Sequence, residues 1–350
     1  MDTGLVLIHF GEPSTPEPTA VTEYLTRIFL QNADLEDADS PDEARARANE
    51  LAKRRAPGLI EEYEAIGGSP LNAQAQEQAA TLDSELHDRG YDVDVELAFQ
   101  FTDPTIEDVL STLKEADIDR VVALPVYPIC GPSTTVAALE RVDTTLDAMD
   151  WDPELVQVSG WHRHPAYLRM RADNIRRAAE AAGITPDDGT QLLFSAHGTP
   201  LKYVEDGSRY VTYVEELADA VGQLAGFTDT VLGYQNHSNR DIPWTEPDVE
   251  GVVEQTEAER VLVEPMSFMH EQSETLAELD EDLAADAAER GITFDRVPVP
   301  HANPVFPHVL ADVVEPAIAG VAPSMFQLRP CQCKPAGNTY CLNAPERPSQ

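Results

Sequence analysis

The stretch Gln191-Leu-Leu-Phe-Ser-Ala-His197-Gly-Thr-Pro200 decides the fold: an apolar run stops at a polar pair built around His197, and Gly198 and Pro200 then end it. A run this short, bounded by turn residues, reads as a buried strand with a histidine at its carboxyl end. In open parallel α/β sheets the ligand crevice lies just outside such strand ends, so His197 falls where loops carry the chemistry. A second segment repeats the pattern. Val261-Leu-Val-Glu-Pro-Met-Ser-Phe-Met-His270-Glu-Gln-Ser-Glu274-Thr-Leu276 passes from a strand-like run into a polar loop and a helix start. His270 and Glu274 are four residues apart, so on a helix they would share a face.

Working outward, strand-like runs at 4–9, 93–99, 120–126, 154–158, 191–196, 230–234, 260–265 and 293–297 alternate with helical patterns at 72–89, 104–115, 134–149, 164–182, 210–224 and 273–290. This is the βαβ order of parallel sheets, so the fold class is α/β. A chain of 350 residues exceeds what one core holds. A break near Asp150-Trp-Asp-Pro153 divides it into 1–152 and 153–321, leaving 322–350 as a Pro- and Cys-rich extension without periodicity. Residues 31–50, acidic and rich in Ala, Asp and Glu, read as a mobile lid or a solvated helix start.

The formal net charge is −39, from 63 acidic against 24 basic residues. Such acidity argues against binding nucleic acid or anionic lipid. No stretch is apolar enough for a membrane span, and the residues after Met1 do not form a signal peptide, so a cytoplasmic protein is expected. Spread along the whole chain, the charge suits molar salt, which screens repulsion to a few ångströms, and a halophilic archaeon is the expected source.

Six motifs in order resemble the ferrochelatase family. Besides the two quoted above they are Leu5-Val-Leu-Ile-His-Phe-Gly-Glu-Pro13, Tyr63-Glu-Ala-Ile-Gly-Gly-Ser-Pro-Leu71, Gly233-Tyr-Gln-Asn-His-Ser-Asn-Arg-Asp-Ile-Pro-Trp-Thr-Glu-Pro-Asp-Val249 and Pro300-His-Ala-Asn-Pro-Val-Phe306. The resemblance implies two Rossmann-like lobes, each a parallel sheet flanked by helices, facing across a cleft. It implies insertion of ferrous iron into a porphyrin, protoporphyrin IX or coproporphyrin III, in haem biosynthesis. The family's catalytic His and Glu fall on His197 and Glu274, which would also meet the substrate Fe2+. A neutral imidazole is a ligand or base near neutral pH, and a carboxylate opposite it supplies charge and a second proton acceptor.

The chain also departs from the family pattern. A usual neighbouring His is replaced by Gln272, with Glu271, Glu278 and His237 as candidate stand-ins. Phe10 stands where some coproporphyrin-type members put a Tyr, and Phe29-Leu30 stand where those enzymes tend to carry arginines, which leans the substrate toward protoporphyrin IX. Phe10, Ser69, His237, Trp244 and His270 lie in the matched motifs and, with Tyr127 in the loop leading to Cys130, are expected near the substrate. Lys53, Arg54 and Arg55, the densest basic run, read either as clamps for porphyrin propionates or as charges complementing a helix C-terminus.

The cysteines number four, Cys130 just past a strand and Cys331, Cys333 and Cys341 in the extension. Four thiolates suit a 2Fe-2S cluster or a zinc site, and disulfides are disfavoured in the cytosol. The resemblance favours the cluster, because members that carry one take a ligand from this mid-chain loop and three from a C-terminal extension. Two other functions fit the same fold. One is a sirohydrochlorin or cobalt chelatase, whose more acidic substrate asks for more basic residues. The other is a non-enzymatic haem or iron carrier, which has no need of the His and Glu pair.

Overall fold

The computed structural model describes residues 2–35, 40–237, 242–325, 331–334 and 337–342. The motif at 233–249 and the extension therefore lie partly outside the described residues, as do residues 36–39 of the acidic segment. In chain order the elements are β1 (Thr3–His9), α1 (Pro18–Gln31), α2 (Pro41–Ile66), α3 (Leu71–Asp88), β2 (Asp94–Phe99), α4 (Ile106–Glu115), β3 (Arg120–Pro125), α5 (Ala137–Ala148) and β4 (Glu154–Val158). They continue with α6 (Pro165–Ala181), β5 (Gln191–His197), α7 (Leu201–Glu205), α8 (Tyr210–Ala225), β6 (Thr230–Gln235), α9 (Val249–Gln255) and β7 (Arg260–Pro265). Then come α10 (Ala284–Glu289), β8 (Thr293–Arg296), α11 (Phe306–Ile318) and β9 (Thr339–Tyr340).

These elements form two compact units, one of residues 1–11, 72–167 and 302–350, the other of 12–71 and 168–301. The boundaries thus differ from a single cut between 152 and 153. The reason is that α11 and β9 return onto β3 and β4, whereas α1 and α2 leave for the second unit.

The first unit is built on five parallel strands in the order β2-β1-β3-β4-β9. β1 is buried along its whole length, as a central strand covered on both faces must be. On one face Ile106, Val109, Leu110 and Leu113 of α4 and Ala138, Leu139, Val142 and Leu146 of α5 pack on Val6, Ile8, Val121 and Ala123. A reciprocal cap between Thr105 and Asp108 fixes where α4 begins. The extension contributes β9, whose Thr339 and Tyr340 align with Gln157 and Val158 of β4.

The second unit has four parallel strands in the order β6-β5-β7-β8. Leu193, Val261 and Val263 are buried under Val249, Val252 and Val253 of α9 and under Leu279, Leu283 and Ala287. Register aligns His197 with Gln235 of β6 and Ser195 with Pro265 of β7. Three neighbouring strands therefore end at one edge of the sheet, and the segments after them start side by side.

Two local expectations are corrected. The segment from Glu274 to Leu283 is a π-helical stretch that begins at Glu274, so His270 lies in the irregular segment before it and shares no helical face with Glu274. Lys53, Arg54 and Arg55 sit in the middle of α2, not at its C-terminus. The buried series Leu51, Ala52, Ala56, Leu59, Tyr63 carries the helix past them, to a left-handed Gly67 at φ 77°. Ser40 caps the start of α2, so residues 40–50 of the acidic segment are a helix start, whereas Ala33–Leu35 form a 3-10 turn after α1.

Candidate active site

His197 closes β5, His237 follows β6 by two residues, and Glu274 opens the π-helical stretch after β7. His197 Nε2 and His237 Nε2 are 3.0 Å apart, and each is 3.2 Å from Glu274 Oε1. Among the described residues this is the set of three metal-binding side chains whose ligand atoms lie within 4.8 Å of one another. At metal–ligand bonds of about 2.1 Å, ligands on one face of an octahedron stand about 3.0 Å apart and on a tetrahedron about 3.4 Å. The triangle fits one face of either polyhedron.

Neighbouring groups fix the orientation of each member. The Nδ1 of His197 lies 2.6 Å from the Gly198 carbonyl, to which it donates, leaving Nε2 toward the other two. Gln235, anchored by the Ser195 hydroxyl at 2.8 Å, donates to the Glu274 carbonyl at 2.9 Å and to Glu278 Oε2 at 3.0 Å. The outer oxygen of Glu274 accepts from the side-chain amide of Gln272. A Cβ at Gly198 would stand 1.9 Å from Asn236 Oδ1 and 2.8 Å from the Gln235 carbonyl oxygen, so a larger residue there would force the neighbouring strand end to shift.

Electrostatics hold a proton in this triangle. Burial opposes charge on His197, but the Glu274 carboxylate and the Gly198 carbonyl outweigh it and raise the imidazole to about 9. Partial burial would raise the carboxyl of Glu274, yet the two imidazoles hold it well below the usual carboxylate range. Burial lifts the Glu278 carboxyl to about 7 against the pull of His237. A 3.0 Å contact between two imidazole Nε2 atoms is itself a hydrogen bond that needs one proton between them.

The other expected residues are distributed as follows. The ring of Trp244 meets that of His237 edge-on at 5.8 Å. Ser69 donates its hydroxyl to Glu12. His270 is buried beside His301 and held neutral, its imidazole lowered to about 3 by burial. Glu271 is committed to Arg296 at 3.1 Å, to the Val299 amide at 2.9 Å and to the Thr275 hydroxyl at 2.8 Å. On α2, Arg55 pairs with Glu62 at 2.7 Å, while Lys53 and Arg54 are exposed. Phe10, packed edge-on against Phe101 at 4.6 Å, and Tyr127, bonded to Gln100, belong to the first unit with the cysteines.

Sequence reasoning missed Glu12, which is 3% exposed. It accepts from Ser69 and, at 2.7 Å, from Ser273, and burial pushes its carboxyl up. A Glu between Gly11 and Pro13 was the available signal.

The four cysteines carry thiols, not disulfides. Hydrogen bonds from Cys333 and Cys341, then from Ser159 and the Lys334 amide, gather on Cys331 and hold its thiol far below the ordinary range. Cys333 also bonds Cys130, so the contacts run Cys130–Cys333–Cys331–Cys341.

A family model described as ferrochelatase matches residues 2–318. Ferrochelatase of Synechococcus sp. (strain JA-2-3B'a(2-13)) is 34% identical over 328 residues, covering 90% of this chain and 92% of its own length. Ferrochelatase of Aquifex aeolicus (strain VF5) is 32% identical over 321 residues, covering 90% and 99%. Among solved structures, SirB from Bacillus subtilis with Fe3+ matches at a TM-score of 0.50 and 10% identity, covering 91% of this chain and 98% of that one, a likeness of fold.

Proposed function

The chain belongs to the ferrochelatase family, and from that premise we propose that it is the enzyme that inserts ferrous iron into a porphyrin in haem biosynthesis. The observation that carries this reading is the triangle of His197, His237 and Glu274. Two imidazole nitrogens and a carboxylate oxygen suit a first-row divalent ion. Three ligands on one face leave the rest of its coordination shell open to pyrrole nitrogens. Insertion releases two pyrrole protons, and His197, Glu274 and Glu278 are the bases at hand to accept them. Gln235 and Gln272 keep the two carboxylates in place while charge changes around them. The Trp244 ring beside His237 supports a role against the flat macrocycle. Protoporphyrin IX is the favoured substrate.

The reading is tested by offering Fe2+ to the purified chain under anaerobic conditions in molar KCl, with protoporphyrin IX, coproporphyrin III or sirohydrochlorin, and following loss of the free-base spectrum. Metallation of a porphyrin and not of sirohydrochlorin is expected. Turnover of sirohydrochlorin alone would make it a sister chelatase, and haem binding without turnover a carrier.

The same proposal extends to the thiols. Cys130, Cys331, Cys333 and Cys341 would hold a 2Fe-2S cluster, supported by their chain of contacts and by the amide and hydroxyl donors on Cys331, of the kind that stabilise thiolate ligands. When bound, such a cluster would cross-link the extension to the Cys130 loop, since metal insertion is not a redox reaction. Anaerobically purified protein is expected to be brown and its Cys130→Ser variant colourless; a colourless protein with one zinc per chain would contradict the cluster. Among the described residues no helix is long and apolar enough to cross a membrane. With the net charge of −39, this supports work in the cytoplasm, away from anionic surfaces.

A further inference from the structure

The amide and carbonyl of His197, a residue still in register with Gln235 of β6, are held by side chains on the β7 side. β5 and β7 last align at Ser195 and Pro265, so the His197 amide lies beyond their ladder. It donates instead to Ser267 Oγ at 2.9 Å, while Tyr210 on α8 donates its hydroxyl to the His197 carbonyl at 2.9 Å and lies 3.3 Å from Ser267 Oγ. Both polar groups of one backbone residue are thus caught by two side chains that also touch each other.

Ser267 owes its place to a guanidinium. Arg171, on α6 and 1% exposed, donates to the carbonyls of Pro265 at 3.0 Å and Phe268 at 3.2 Å, the two residues flanking Met266 and Ser267. Its Nε stands 3.0 Å from Glu264 Oε1, a carboxylate also 1% exposed. The ring of Phe268 in turn lies edge-on to that of His197, at 6.4 Å. Taking an ion pair fully out of water is an inefficient way to gain stability. A planar fork that spans two carbonyls of one turn and a carboxylate is an efficient way to gain geometry.

We propose that Arg171, Ser267 and Tyr210 are positioning residues: Arg171 shapes the turn from Pro265 to Phe268, and Ser267 and Tyr210 use that turn to set the His197 imidazole against His237 and Glu274. None of the three belongs to the triangle of His197, His237 and Glu274. The proposal rests on the reading of His197 as a metal ligand, and its test keeps the two apart.

The probe is Co2+, whose visible absorption reports ligand geometry, applied to the full chain together with KM values for metal and porphyrin and a thermal midpoint. Ser267→Ala and Tyr210→Phe are expected to shift the Co2+ bands and to weaken metal binding about tenfold or more, the effect of losing an outer partner of a ligand, with porphyrin KM unchanged. Arg171→Lys should reproduce the shift, because an ammonium cannot span both carbonyls and the carboxylate; if it fails to fold, the other two variants decide. Wild-type bands and metal KM in Ser267→Ala and Tyr210→Phe, even with a lower midpoint, would overturn the proposal as a merely structural effect. His197→Ala serves as the control. If it leaves the Co2+ bands unchanged, the metal-site reading falls and the positioning role with it; if it abolishes them, the other variants test positioning alone.

Discussion

At the proposed metal site, protons compete with the ion for Nε2 of His197. Its imidazole is raised from the ordinary 6.5 to about 9, so at neutral pH the triangle holds a proton that an incoming ion must displace. Affinity for Co2+ is therefore expected to rise with pH, about tenfold per unit while the site stays protonated, and to level off above about pH 9. Spectroscopic titration at a series of pH values checks this, and a flat profile from pH 7 to 9 would contradict the shared proton. His197 stood out because it ends an apolar run, whereas Glu274, beyond the polar loop after β7, was reached through the family resemblance. His237 was visible only as a stand-in, since nothing local shows that the end of β6 abuts the end of β5. Glu12, Ser267 and Tyr210 were illegible for a related reason: their partners are distant in sequence, and one buried hydrogen bond leaves no periodicity.

At the scale of elements, strands and helices with a clear period matched their expected ranges within a few residues, for instance β4 at Glu154–Val158 and β7 at Arg260–Pro265. The π-helical stretch was hidden, because its residues follow the ordinary helical pattern while its start removes His270 from the face of Glu274. β9 was hidden too, a strand of two residues being too short to show a period. That strand changes what the extension depends on. Gln157 and Ser159 amides donate to the Asn338 and Tyr340 carbonyls, at 3.1 and 2.8 Å, Asn338 reaches the Leu155 carbonyl at 2.8 Å, and Lys334 pairs with Asp143. The extension is thus docked by backbone pairing as well as by its cysteines. A Cys130→Ser chain is expected to keep slow hydrogen exchange at Gln157 and Ser159, and a chain truncated after Val321 to lose it. Loss in both would make the cysteines the sole anchor.

At the scale of the molecule, a net charge of −39 is self-repulsion that salt relieves. The Debye length shrinks to about 3 Å at 1 M, so the thermal midpoint should climb steeply between dilute buffer and molar KCl. A salt-independent midpoint would remove the halophile reading. The division into two parallel-sheet units was legible as a βαβ rhythm, but their membership was not, because it depends on where α1, α2 and α11 pack and not on any break in composition. Entry of iron into a porphyrin at His197 is the central proposal for this chain, and it is checked by comparing Fe2+ insertion into protoporphyrin IX by the wild-type chain and by His197→Ala, in molar KCl without oxygen. Loss of turnover by about a hundredfold or more, with fold and porphyrin binding retained, is the expected result; insertion by the variant at close to the wild-type rate would contradict it.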